Sequence, residues 1–231
     1  MNLRFTVILL LIICNENALS AQNYEALKLQ FNPLFGKVAL VLNQSYFSAN
    51  NNDSIQFDVL RFYISGIELL LNGKTVWKEL NSFHLLDASV ISSLSINLNT
   101  SSKPVFDKLK FNLGIDSITN VAGAMGGDLD PTKGMYWTWQ SGYINFKLEG
   151  KSKVCNTRNN EFTFHLGGYQ YPYNTLQTVN LNTNNLNELS IILNVEEMIS
   201  IIDLSKQNHI MSPGKEAVLL SNELTRIFSV Q

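Results

Sequence analysis

Apolar residues recur at every second position along much of this chain. Leu27, Leu29 and Phe31 alternate with polar neighbours, as do Leu94, Ile96 and Leu98. The same period appears at Leu109, Phe111, Leu113 and Ile115, at Phe162, Phe164 and Leu166, and at Leu189, Ile191, Leu193 and Val195. A period of two marks a strand with one buried face. Short polar stretches such as "NNND", "NTSSKP" and "NTNN" lie between the runs and read as turns. "LLLNGKTVW" predicts a hairpin with Asn72-Gly73 in its turn. Many strands joined by short turns predict an all-β chain, an antiparallel β-sandwich with a few short helices.

Two of those helices are expected in "DSITNVAGAM" and "VEEMISIID". A third lies near the C-terminus, in "SPGKEAVLLSNELTRIF". There Ser212 is placed to cap, Pro213 to take the first position, and Ala217, Leu220, Leu224 and Phe228 to form one apolar stripe. No linker composition and no internal repeat divides the 231 residues. Residues 22–231 therefore read as a single domain.

One stretch breaks the simple alternation: "GMYWTWQSGYINFKLEG". Trp137 and Trp139 share one parity, whereas Ile144, Phe146 and Leu148 share the other. A strand does not change its apolar face without an extra residue, so a β-bulge is predicted at Ser141-Gly142.

The N-terminus reads as a signal peptide over residues 1–21. Arg4 precedes the apolar run "FTVILLLIIC", and "NENALSA" supplies small residues for cleavage near Ala21. The run is shorter than the roughly 20 residues that span a bilayer. The chain is thus expected to be exported to the periplasm, with no transmembrane segment. "LIIC" also loosely resembles a lipobox, which leaves anchoring through a lipidated Cys14 as an alternative. Of the two cysteines, only Cys155 survives cleavage, which excludes an intrachain disulfide and any cysteine-rich zinc site. A formal charge of −2 gives no electrostatic basis for binding nucleic acid.

Candidate chemistry is sparse. No nucleophile elbow, phosphate loop or HExxH is present, so no enzyme is assembled. Asp128 and Asp130 in "GGDLDPTKG" suit either a calcium loop or a solvated turn, and lack the EF-hand spacing. Three histidines are available. His165 in "FTFHLGG" has the parity opposite to Phe162, Phe164 and Leu166, so it faces away from that apolar set. His84 lies in "SFHLLDA" beside Asp87, and His209 lies just ahead of the expected C-terminal helix. On pattern alone each suits a structural role as well as a ligand role. The indole pair suits core packing, a glycan platform or a reaction site.

The ordered set "FYISGIELLLNG", "FHLLDA", "FNLGID", "GGDLDPTKGMYWTWQSGYINFKLEG", "FTFHLGG" and "HIMSPGKEAVLLSNELTRIF" resembles the MbnP-like family of exported copper-binding proteins, over roughly residues 24 to 230. The resemblance implies a β-rich fold that binds copper. It also implies a tryptophan oxidised to kynurenine by a partner di-haem enzyme of the MbnH/MauG type. Carried onto this chain, it makes Trp137 and Trp139 the candidates for modification. His165 is the first expected copper ligand, His84 the second, and His209 is held in reserve. Two imidazoles on one copper place the nitrogens of His165 and His84 within about 4 Å of each other. Some relatives carry a cysteine shortly after the "FHLG" histidine, where this chain has Tyr169. The reading that competes with copper is a non-metal exported binding module presenting the two indoles to a glycan or protein ligand.

Overall fold

The computed structural model describes residues 25–49, 52–100, 104–183 and 188–231. The expected signal peptide with Cys14 lies outside the described residues, as do parts of the three polar turns quoted above. Fifteen strands are found among the described residues. In chain order they begin β1 (Glu25–Phe35), β2 (Val38–Ala39), β3 (Ser45–Ser48), β4 (Asp53–Leu71), β5 (Lys74–Lys78), β6 (Phe83–Asp87), β7 (Ser95–Thr100) and β8 (Lys108–Leu113). After helix α1 (Ser117–Ala122) come β9 (Tyr136–Trp137), β10 (Gly142–Ser152), β11 (Glu161–Gly167), β12 (Gln177–Asn182) and β13 (Glu188–Asn194). Helix α2 (Val195–Ser200), β14 (His209–Ile210), helix α3 (Lys215–Glu223) and β15 (Phe228–Val230) complete the chain. None of these helices is long and apolar enough to cross a membrane.

The strands form two facing sheets. The smaller has five strands, with β1 between β13 on one edge and β7 and β2 on the other; β15 closes the far side of β13. The larger has ten, built on the 19-residue β4. One edge of β4 carries β10 and then β8; the other carries β3, β6 and β5. Beyond β10 lie β11 and β14. The alternating residues meet between the sheets. Leu29, Phe31, Leu189, Ile191 and Leu193 of the small sheet and Leu109, Phe111, Leu113 and Phe164 of the large one are all buried there. Phe31 bridges the layers, with its ring 6.2 Å from Phe62 and 5.9 Å from Phe111. Burying one such ring contributes about 1.5–3 kcal/mol.

The expected sandwich is thus found, with one difference in strand direction. β1 pairs parallel with β13, and β11 parallel with β14, so the sheets are mixed. Alternation records which face is buried; it does not record the direction of the neighbour. The Asn72-Gly73 hairpin forms as expected, with both turn residues at positive φ (49° and 77°), as a type I′ turn requires.

β4 keeps its apolar face inward over its whole length by shifting register twice. Its core residues run Ile55, Phe57, then Leu60, Phe62, Ile64, then Ile67, Leu69. The first change of parity coincides with the shift opposite Glu149/Gly150, and the second with the shift between Ser65 and Glu68. Gly66 sits in the second at φ 57°, where a Cβ would approach the Asn112 amide to 2.8 Å.

The C-terminal helix starts later than expected. Gly214, not Ser212, is its N-cap residue, and no side chain caps it. Pro213 therefore precedes the helix. Ala217, Leu220 and Leu224 are buried as the stripe predicts, and Phe228 reaches the core from β15.

Candidate functional site

The outer face of the large sheet is not bare. The segment from Asp116 to Ser141 folds back over it and encloses a second apolar cluster of Tyr63, Leu85, Ile115, Leu129, Met135, Trp137, Tyr143 and Ile144. Local hydrogen bonds fix this cap. Asp116 caps α1 by accepting from the Thr119 N–H at 2.8 Å. Asn120 accepts from the Tyr143 N–H at 2.8 Å and donates to the carbonyl of Ile115 at 3.0 Å. The Tyr63 hydroxyl donates to the carbonyl of Asp128 at 2.9 Å, and the Tyr143 hydroxyl accepts from the Met125 N–H at 3.0 Å. Burial pushes both hydroxyls up from their usual pKa, so both stay protonated near neutral pH, and Tyr143 donates its proton to the carbonyl of Leu129 at 3.0 Å.

Asp128 and Asp130 serve this cap as turn braces. Asp128 accepts from the Leu85 N–H at 3.1 Å and pairs with Lys133 at 2.7 Å. Asp130 accepts from the N–H and hydroxyl of Thr132, both at 2.8 Å. The solvated-turn reading describes them.

The indole pair ends the cap. Trp137 lies in β9, paired with Gly142 of β10, and Trp139 lies in the turn between these strands. Ser141 closes that turn at φ 50°. The expected bulge at Ser141-Gly142 is thus a tight hairpin turn. The change of face comes three residues later, where Ile144 pairs with Gly167 but Phe146 pairs with Leu166. The intervening Asn145 is buried, with its carbonyl accepting from the Ile115 N–H at 2.9 Å and its amide donating to the Thr175 hydroxyl at 2.9 Å. Ile144 therefore joins the outer cluster and Phe146 the inner core. The two indoles touch, with ring centroids 5.7 Å apart and planes tilted by 42°. Their environments differ: Trp137 is 5% exposed and Trp139 63%.

His165 faces this outer layer, as its parity predicts, while Phe162, Phe164 and Leu166 enter the core. Its Nε2 lies 2.6 Å from Oε1 of Glu149. Hydrogen bonds from His165 and Lys147 hold the Glu149 carboxyl below the usual range despite partial burial, so it is an ionised acceptor. Burial depresses the His165 pKa, with Lys147 and His209 acting in the same direction against the pull of Glu149. The ring is therefore neutral near pH 7 with its proton on Nε2, directed at the carboxylate. That leaves the Nδ1 lone pair free, and Nδ1 is buried with no hydrogen-bond partner. The indole nitrogen of Trp137 is likewise buried and unpartnered. Such orphaned polar atoms are uncommon in a folded protein. Trp137 packs against the strand that carries His165. The Trp137 six-membered ring lies where a Cβ on Gly167 would project, 2.7 Å from it. Gly167 and His165 are two residues apart on one face of β11, about 6.6 Å along the strand.

β14 completes the arrangement. It runs alongside β11 with Thr163 opposite His209 and Phe164 opposite Ile210. Ile210 points into the core with Phe164, so His209 shares the outer face with His165. β14 ends at Ile210, and Met211 follows it along the rim. The chain stays close beyond that point, because a Cβ on Gly168 would meet Pro213 at 3.0 Å. His209 and Met211, with Trp139, line an open cleft of about 420 Å³ whose far wall is the start of α3. Sequence reasoning passed over Met211. It is near His209 because both line the same cleft.

His84 is not part of this group. It pairs with Ile64 across β6 and β4, and its neighbours two along and opposite, Leu86 and Ile64, lie in the inner core. His165 is on the other face, three strands away along β6–β4–β10–β11, about 14 Å sideways alone. The expectation that these two imidazoles meet is corrected. His84 instead pairs with Glu79 at 2.8 Å. Cys155 is buried in the inner core, and burial raises its thiol pKa to about 11. Among the described residues, no group of three or more His, Cys, Asp or Glu side chains is spaced to hold a metal.

A two-sheet β protein, carrying a capped outer face with His165, His209 and a pair of touching indoles, is the class this architecture defines. The chain belongs to the MbnP family: the MbnP family model matches residues 24–212. That span contains His84, both indoles, His165, His209 and Met211, and ends before α3. Among solved structures the fold is similar to MbnP from Methylosinus trichosporium, with a TM-score of 0.58 and 14% sequence identity, covering 78% of this chain and 79% of that one. No curated protein matches the chain in sequence.

Proposed function

We propose that this protein is an exported copper-binding protein, with the ion held on the outer face of the large sheet by His165 and His209, next to the indole pair. The observation that carries the reading is the state of His165. An ionised carboxylate holds one ring nitrogen and a free, buried lone pair remains on the other. Metal-bound histidines are oriented in this way, and neutral imidazole is a strong donor to copper. His84 drops out of the ligand set and His209, previously in reserve, replaces it. The protein is a binder and a substrate of oxidation, not an enzyme.

One indole is matured to kynurenine by a partner di-haem enzyme of the MbnH/MauG type. The tryptophan would take up two oxygen atoms from water and lose four electrons and four protons, and the partner's haems would supply the chemistry that passes those electrons to two molecules of peroxide. Two peroxides are reduced to water, and N-formylkynurenine forms. Water then releases the formyl group as formic acid, a net gain of about 4 Da by formula. Trp139 is the residue that reacts, because its ring is open to an oxidant whereas Trp137 is sealed beneath it. The aniline and ketone of the product then hang over the cleft that His209 lines. The glycan-platform reading is disfavoured by the same geometry: the rings are tilted and one is buried, so no flat exposed pair is presented.

Intact mass and metal analysis test this on protein produced with and without its di-haem partner. Protein made alone is expected to have unmodified indoles and to bind copper weakly. Co-produced protein is expected to gain the kynurenine mass in the peptide containing Trp139 and to bind copper more tightly. Full copper occupancy in protein from the native host with both indoles intact refutes the maturation step.

A further inference from the structure

Helix α1 is built inside out. Thr119 and Asn120 are buried, while Ile118 and Val121, three residues apart on its outer side, are open to solvent, Ile118 at 84%. A surface helix normally turns its apolar side to the protein. Two further segments join it. The Ser117 hydroxyl donates to the carbonyl of Tyr169 at 2.8 Å, and the Tyr169 ring packs on the indole hairpin, 3.1 Å from where a Cβ on Gly142 would project. Gln140 of that hairpin turn shares a hollow of about 190 Å³ with the loop that carries Tyr171 and Tyr173. Together the three segments expose Ile118, Val121, Trp139, Tyr173 and Tyr171, the last at 97%. Residues 117–127, 134–146 and 166–183 contain no Asp, Glu, Lys or Arg, although 16% of the whole chain is charged. Charge returns at Lys215 and Glu216, which line the same cleft as Trp139.

We propose that this uncharged face is the docking surface for the di-haem partner enzyme, which meets it with an apolar, nearly uncharged surface around its own oxidising centre. This rests on the reading that Trp139 is oxidised by that partner. Exposed apolar patches mark interaction sites, and the buried centre of an interface is depleted in charge and enriched in aromatic residues. Trp139 fixes the occupant. A second copy of this chain seated here would cover the ring that has to react, whereas an enzyme that oxidises Trp139 must lie over it and against its neighbours. A charged partner face would lose its water here and find no counter-charge. Tyr171, standing free of its own chain, is the anchor for a pocket on the partner. Without opposed charges the encounter is not steered, so it responds little to salt.

The test mixes the purified protein, the di-haem enzyme and hydrogen peroxide, and follows the mass gain of the peptide containing Trp139. Ile118→Glu and Tyr171→Ala alter the face. Leu80→Glu alters an equally exposed apolar residue outside it, in the turn between β5 and β6. All three side chains lie on the surface, so the fold is kept, and melting curves check this. Ile118→Glu and Tyr171→Ala are each expected to slow the mass gain about tenfold or more, and Leu80→Glu to leave it unchanged. Raising salt from about 0.05 M to about 0.5 M is expected to change the unaltered protein's rate by less than about twofold. If both face variants react as fast as the unaltered protein, or Leu80→Glu slows the reaction as much as they do, the docking surface is wrong and the maturation of Trp139 stands. If the unaltered protein is a dimer that Ile118→Glu dissociates without slowing the reaction, the face is a self-contact and the proposal fails. If the unaltered protein gains no mass at all, the maturation reading falls and the docking surface with it.

Discussion

Replacing Glu149 by Gln changes one atom and keeps the shape, yet it strikes at the state of His165. The carboxylate oxygen lies 2.6 Å from Nε2 and 3.2 Å from the Lys147 ammonium. A hydrogen bond to a charged acceptor contributes about 1.5–3 kcal/mol, against about 1 for a neutral one. An amide also accepts less strongly and can turn its NH₂ toward the ring. The ring then holds its proton on Nδ1 and loses the free lone pair. Loss of such a partner typically weakens metal binding by about 10–100-fold, or about 1.4–2.8 kcal/mol at 1.4 kcal/mol per decade. Stability should change little, because the Glu149 side chain is 31% exposed and solvent can replace the amide's missing charge. The assay is copper competition against a chromophoric chelator, with thermal unfolding as the control. Affinity within about twofold of the unaltered protein, in a variant that melts normally, refutes the role given to the His165–Glu149 pair.

Three further outcomes follow from the same geometry. Gly167→Ala puts a Cβ 2.7 Å from both the Trp137 ring and the carbonyl of Tyr143. It should cost about 1–3 kcal/mol, lower the melting temperature by several degrees and red-shift tryptophan emission as the indole is displaced. Acid should destabilise the protein in two stages. His165 has a depressed pKa when folded, so below about 6.5 the unfolded chain takes up a proton that the folded chain resists. Stability then falls as pH falls. The ionised Glu149, also depressed, adds a further loss below its unfolded value. Melting curves between about pH 7.5 and 4.5 should show the first stage, and His165→Gln should flatten it. His84→Ala removes the contact to Glu79; it should lower stability modestly and leave copper binding untouched, as chelator competition will show.

Much of the fold was legible in the sequence because burial and alternation are two views of one constraint. Leu109, Phe111 and Leu113 can bury together only on one face of a strand, and they do. The same logic placed His165 on the outer face. It failed for His84, whose neighbours Leu85 and Leu86 are both buried, one under the cap and one between the sheets. With apolar layers on both sides, alternation carries no signal, and only the pairing with Ile64 decides the face. The parity change after the indole pair was read correctly as a break, but its place was not. A four-residue turn through Trp139 and a bulge at Asn145 together mimic one inserted residue at Ser141. The place of His209 beside the strand of His165 was not legible because it comes from β14 lying parallel on β11, a long-range pairing that nothing local records.

The central claim is that His165 and His209, and not His84, hold the copper. Copper titration of the three single alanine variants, each confirmed to be folded, tests it directly. His165→Ala and His209→Ala are expected to lose high-affinity binding while His84→Ala keeps it. Binding that survives both of the first two substitutions, or that is lost only with His84, contradicts the account.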